Sequence, residues 1–290
     1  MTNTLSPVLK ELIDQINNSS ISTIKSVVKR IIQIINDPES TARDLEEVIE
    51  VDPPLTARVL KVANSAYYSP QNKIREIDEA VIWLGFNTVK ELVLSQKVCE
   101  IFEKDVRIGN YSRPALWRHS FAVALLSKMI YRREFGERGE NAYVAGILHD
   151  IGIIALDQFK QEEFKECLSR ALNEKRNLHS IETDVMGFNH AVVGKALVES
   201  WNLPKEYAET VGGHHNYIDP DKEHYRIAST IAIANQYCQM KNIGYNDAPF
   251  TDHAQYKSSL ENLGLSQSSL ELIAKAMQTE LAKMEEMGIF

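Results

Sequence analysis

Cysteine is scarce in this 290-residue chain. Its 3 cysteines, Cys99, Cys167 and Cys238, are far apart and odd in number, which fits neither a disulfide framework nor a CxxC metal knuckle and reads as thiols in a reducing compartment. Positive charge is also short. Against 40 acids stand 32 lysines and arginines, a formal charge of -8, so a nucleic-acid surface built on bulk positive charge is not expected. No apolar run approaches the length of a membrane span, and Met1 to Lys10 lacks the basic start and apolar middle of a signal peptide. The expectation is a cytoplasmic protein without a membrane partner. No convincing set of strands appears. Histidine is missing from the first 118 residues although the chain has 8, so whatever imidazole does here belongs to the second part.

What is present is helical spacing on nearly every segment, with 44% hydrophobic residues, enough for one large or two modest domains. Ser6 and Pro7 open a helix carrying Val8, Leu9, Leu12, Ile13 and Ile16. Ile24 to Ile35 follows with its charges on the helical period, and Thr41 to Asp44 reads as a capping box. Asp52-Pro53-Pro54 punctuates the chain. Gly85 reads as a helix C-cap, and Thr88 to Glu91 as a cap for Leu92 to Phe102. The polar stretch Asp105 to Arg113 divides two helical halves, residues 1–108 and 109–290. Helices are then expected over 114–135, 139–157, 162–173, 180–187, 190–201, 204–212, 224–241 and 268–287, the last with a capping box Ser268 to Glu271. The fold class is all-α.

His149 and Asp150 interrupt the apolar run Tyr143 to Leu156. Neighbours on one helical turn point about 100° apart, so both can reach a cation lying beside the helix. Alone, such a dipeptide is more often a surface pair or a cap. His119, His190, His214 and His215 add four imidazoles at helix starts, ends or buried faces. Six such groups suit two ions sharing a carboxylate, which need about six or seven protein ligands, and Fe, Mn, Zn, Ni or Co all match the donor set. Separately satisfied core histidines are the alternative. His179, His224 and His253 lie in polar contexts and are expected to face solvent. Lys195, one turn after His190, is a phosphate-binding candidate unless it is a solvated helix-face lysine. Trp117 and Trp201 could stack on a base, but their helical spacing suits a core.

Set in order, these residues resemble the HDOD family, the HD-related output domain of bacterial signalling, a divergent branch of the HD metal-dependent phosphohydrolases. Val51-Asp52-Pro53-Pro54-Leu55 through Leu60 with Ala63-Asn64-Ser65 is similar to its DPxLxxxxLxxxNS signature, and Ile77 to Gly85 to its AIxxLG element. His149-Asp150-Ile151-Gly152, Asn189-His190, Trp201 to Pro204 and His214-His215 follow. The resemblance implies an HD-like helical bundle in the second half. It implies His119, His149 and Asp150 as the first ligands, and His190, His214 and His215 as the extra histidines of two-metal members. The closing aspartate is matched by Asn235, which brings no charge. After His215 the chain reads Asn216-Tyr217-Ile218, not the Gly-Tyr-Pro of cyclic-di-GMP phosphodiesterases. The resemblance therefore implies a signalling module that works through protein partners, with a retained metal site and little or no hydrolase activity. A metal-dependent phosphohydrolase acting on a nucleotide or cyclic dinucleotide is the alternative.

Overall fold

The computed structural model describes residues 6–19, 21–102, 107–109, 111–215, 223–247 and 253–286. In chain order its elements are α1 (Pro7–Asn17), α2 (Ile21–Asn36), α3 (Ala42–Glu50), α4 (Pro53–Ala63), α5 (Ile77–Leu84), α6 (Phe86–Cys99), a 3-10 turn (Glu100–Phe102), β1 (Arg107–Ile108) and β2 (Tyr111–Ser112). There follow α7 (Arg113–Glu134), α8 (Glu140–Leu148), α9 (Ile151–Phe159), α10 (Gln161–Glu174), α11 (Leu178–Met186), α12 (His190–Ser200), α13 (Lys205–Gly213), α14 (Tyr225–Met240), α15 (His253–Asn262) and α16 (Gln267–Glu286). The fold is all-α. Among the described residues, strand structure is confined to the β1–β2 hairpin, two residues a side, with Arg107 opposite Ser112 and Ile108 opposite Tyr111.

Local chemistry sets several helix starts. Ser6 Oγ accepts from Leu9 N at 3.2 Å, Thr41 and Asp44 close a reciprocal box, and Asp52 takes Leu55 N at 3.1 Å ahead of Pro53. Gly85, at φ 87°, ends α5 and lets the chain re-enter a helix at once, so α6 begins at Phe86 and Thr88 lies inside it rather than capping it. Ser266, not Ser268, caps α16, through Ser269 N at 3.1 Å. The helix α15 has no counterpart in the sequence reading. The expected dividing stretch, 105–113, falls partly outside the described residues (105, 106 and 110), as does residue 287 at the end of the last helix.

The single helix expected over 139–157 is two, α8 and α9, and the break falls at His149 and Asp150. One further correction concerns the same run. Glu140–Phe159 is long and apolar enough to cross a membrane by length and composition, yet 89% of its apolar 18-residue window is buried inside the protein. Its apolarity is that of a core helix pair, packed against neighbours on every side.

The helix α7 packs against α8, α14 and α16, while α12 packs against α9 and α13. The buried core continues into the first half, where α2 and α6 reach α8 and α1 reaches α9 and α12. Lys90 Nζ meets Glu140 Oε2 at 3.3 Å across α6 and α8, and Lys128 on α7 pairs with Glu91 on α6. At the crossing of α9 and α12 the backbones nearly touch: a Cβ on Gly152 would lie 1.9 Å from the His190 carbonyl oxygen. Gly152→Ala must therefore push α12 away. We expect a loss of roughly 1–3 kcal/mol or more in urea unfolding, as for other overpacked cores, together with weaker metal uptake because His190 moves. Unchanged stability would mean the two helices can part without cost.

Candidate metal centre

Five separate chain segments deliver the candidate ligands. His119 sits inside α7, and its Nδ1 lies 3.2 Å from the Ile243 carbonyl. His149 and Asp150 occupy the break between α8 and α9, where His149 Nδ1 donates to Gly146 O at 2.8 Å. His190 is the first residue of α12, which Asn189 caps by accepting from Val192 N. Its Nδ1 and its own backbone N both donate to Glu182 Oε2 on α11, at 2.6 and 2.9 Å. His214 ends α13 with Nδ1 donating to Val211 O at 2.6 Å, and His215 follows directly. Four rings thus engage Nδ1 and turn Nε2 inward. That arrangement fixes the tautomer and aim of a metal-binding imidazole.

The inward atoms meet at Asp150. Its Oδ2 is 3.1 Å from His149 Nε2 and 3.7 Å from His119 Nε2; its Oδ1 is 3.3 Å from His214 Nε2 and 3.8 Å from His190 Nε2. His119, His149 and Asp150 form one group able to hold an ion, and Asp150, His190, His214 and His215 a second, the ligand atoms of each lying within 4.8 Å of one another. One carboxylate is shared between them. Asn235, on α14, is buried with Oδ1 2.9 Å from His119 Nε2. The structure therefore brings His119, His149, Asp150, His190, His214, His215 and Asn235 together. Lys195 is elsewhere: its side chain is 44% exposed, 3.9 Å from Glu199, with its stem against Gly212. Trp117 and Trp201 are core residues.

His179 is a correction. Expected in solvent, it is half-buried and stacks on His215 with ring centres 4.3 Å apart and planes 22° apart, so it walls the cluster. His224 is also half-buried, while His253 is exposed. Sequence reasoning missed Glu182, Gln239 and Asp247. Asp247 is buried, with Oδ2 3.6 Å from His190 Nε2 and 3.5 Å from His215 Nε2. Asn216 to Pro220 lie outside the described residues.

The polar atoms of the cluster suit a cation. His149 Nε2, His214 Nε2, both oxygens of Asp150 and Asp247 Oδ2 are buried without a hydrogen-bond partner. Orphaned polar atoms in a dry interior are costly, and divalent ions held by the two groups would satisfy them. Burial pulls His119 down to about 4, so its neutral ring carries one proton while it faces two acceptor oxygens, from Ile243 and Asn235. His119 and Asn235 would both serve as ligands of a bound ion, and the amide turned to present Nδ2 would also resolve that contact. Burial likewise lowers His214, and lowers His215 far below its usual value. Against burial, the Glu182 carboxylate lifts His190 to about 9, and the Asp150 charge raises His149. Asp150, itself opposed by burial, is held well below the usual carboxylate range by His149 and His214. Burial and the Asp150 charge push Asp247 up to about 7. His190 Nε2 and His215 Nε2 stand 2.7 Å apart, a contact that two lone pairs cannot make without a proton or cation. Imidazole and carboxylate donors at these spacings fit Fe, Mn, Zn, Ni or Co.

Comparisons with known proteins agree with this architecture. A Geobacter sulfurreducens structure, described as an HDOD domain protein of unknown function, is similar with TM-score 0.75 and 28% identity, over 89% of each chain. A Shewanella amazonensis SB2B structure provisionally named a phosphohydrolase is similar with TM-score 0.69 and 23% identity, over 98% of this chain and 96% of that one. A Marinobacter aquaeolei VT8 structure provisionally named a signal transduction protein gives TM-score 0.71 and 22% identity, over 96% and 63%. At those identities the last two speak to the fold alone. An uncharacterized protein of Treponema pallidum (strain Nichols) is 25% identical over 219 residues, which is 74% of this chain and 41% of that protein, so the chain spans less than half of that relative's length. The HDOD domain profile matches residues 21–217, more than half of the sequence, and the chain belongs to the HDOD family.

Proposed function

We propose that the chain is a cytoplasmic signalling module that acts through protein contacts and carries a buried divalent-metal centre, with little or no hydrolase activity. The observation that supports this reading is the closed cluster around Asp150 with its unpartnered acceptors. A bound ion supplies Lewis acidity and a lowered water pKa wherever water or phosphate reaches it. Access is what argues against catalysis. His119, His149, Asp150, His190 and His214 are each at most 2% exposed, and Lys195, the basic side chain singled out for phosphate, lies on the outer face. Enclosed in that way, the ligands of an ion tie α7, α12 and α13 to the α8–α9 break. In the first half, Val51, Ile82 and Trp83 are large apolar side chains left in solvent, which suits a protein partner.

The alternative is a metal-dependent phosphohydrolase acting on a nucleotide or cyclic dinucleotide. His215 favours it, because its ring is 7% exposed while its Nε2 touches that of His190. Metal analysis of purified protein separates presence from absence of the site. We expect wild type to take up divalent metal and His149→Ala to bind the ion at its position at least ~10-fold more weakly. Equal and negligible metal in both proteins would remove the site. Hydrolysis of a cyclic dinucleotide after loading with Fe or Mn, lost in His149→Ala, would replace the signalling reading with the enzymatic one.

A further inference from the structure

The short connection that follows α14 is built with unusual care for a polar loop. Gly244, at φ 78°, crosses α7 so closely that a Cβ there would lie 2.4 Å from His119 N. Tyr245 N donates to Ala115 O at 2.9 Å on the same helix, and Ile243 O is the acceptor beside His119 Nδ1. Asn246 Nδ2 reaches Gln239 O at 3.0 Å and Asn242 Oδ1 at 3.2 Å. The Asp247 carbonyl accepts from Leu178 N at 2.8 Å, where α11 begins. All of this fixes the Asp247 side chain. Gln239 Nε2 donates to its Oδ1 at 2.5 Å, while Oδ2, buried and unpartnered, points at His190 Nε2 and His215 Nε2.

We propose that Asp247 is a metal ligand, that it supplies a second carboxylate on the His190 side of the centre, and that the two ion positions are therefore unequal. This rests on the metal reading above. On one side His190, His214 and His215 face Asp150 Oδ1 and Asp247 Oδ2. On the other, His119 and His149 face Asp150 Oδ2 and the uncharged Asn235 amide. Two carboxylates and three imidazoles neutralise and enclose a dication; one shared carboxylate, two imidazoles and an amide do so poorly. The chain takes one divalent ion tightly, at the His190 side, and a second weakly. The carboxylate absent at residue 235 is thus supplied at residue 247, but to the other ion.

Cobalt(II) titration of the full chain, followed by its d–d absorption and by calorimetry, tests this. Wild type should show two steps. Asp247→Asn keeps the acceptor for Gln239 and should weaken the tight step at least ~10-fold and alter its d–d bands, leaving the weak step in place. Asn235→Asp should strengthen the weak step by a similar factor and leave the tight bands unchanged. A general loosening of the fold would move both steps together, so that pattern counts against the assignment. So does a wild-type titration with two equal steps, or an Asp247→Asn titration identical to wild type. Absence of cobalt binding in wild type overturns the metal reading itself, and is thereby distinguished from failure of the Asp247 assignment alone.

Discussion

Asp150→Asn protein should lose divalent metal at both positions together, with each apparent affinity down by at least ~100-fold, beyond the 10–100-fold typical for losing a mere supporting contact. No other described side chain serves both groups: Oδ2 faces His149 and His119, and Oδ1 faces His214 and His190. An amide removes the shared negative charge and turns an N–H2 toward one group, where it repels a cation. The contrast with His149→Ala carries the diagnosis, since that change strips a donor from one group only. Metal content per chain measured on both variants checks it. Retention of either ion in Asp150→Asn would mean that ion is held somewhere else.

The second large effect concerns stability and is independent of any metal. Arg113→Leu should cost about 3–5 kcal/mol in urea unfolding, the usual consequence of stranding one member of a buried ion pair. Arg113 and Asp157 are both at most 2% exposed, with Nε 2.5 Å from Oδ2, and Tyr111 donates its hydroxyl to the same oxygen at 2.9 Å. Burial and the adjoining carboxylate push the Tyr111 hydroxyl well above its usual range, so it remains a donor. Among the described residues, the Tyr111 hydroxyl is then the hydrogen-bond donor left to the Asp157 carboxylate. Arg113→Leu with Asp157→Leu should recover much of the loss, because hydrophobic replacement of both partners leaves no buried charge. A double variant as unstable as the sum of the single ones would deny the coupling. The same pair pins the first turn of α7 to the end of α9, and so helps hold His119 in register with Asp150.

The helices were largely legible because caps and apolar spacing are local. Ser6, Thr41 with Asp44, and Asn189 each act within three residues of their own position. The histidines were legible for a different reason: few side chains carry that chemistry, and five histidines with Asp150 made a convergent set. Asp247 was not. It lies in a loop with Asn242, Gly244 and Asn246, which reads as turn chemistry, and its placement depends on where the loop crosses α7, a distance no spacing encodes. Glu182 looked like one more acid on a helix beside Thr183 and Asp184, until α11 was seen to lie against α12. The apolar spacing of Tyr143 to Leu156 continues through His149 and Asp150 with neither proline nor glycine at those two positions, so a helix end at the pair is legible while an immediate restart as a second helix is not. The expectation for His179 rests on its neighbours Asn177 and Leu178, which say nothing about the His215 ring stacked on it.

The anchors behind the rings differ in kind. His119, His149 and His214 are held by the carbonyls of Ile243, Gly146 and Val211. A carbonyl oxygen is present whichever side chain its residue bears, so those three rings keep their aim through sequence drift as long as the main chain keeps its path. His190 depends instead on the side chain of Glu182. A single codon change at 182 can let that ring swing away while every histidine stays in the sequence. A homologue could then carry the full set of ligands on paper and hold only half of the centre.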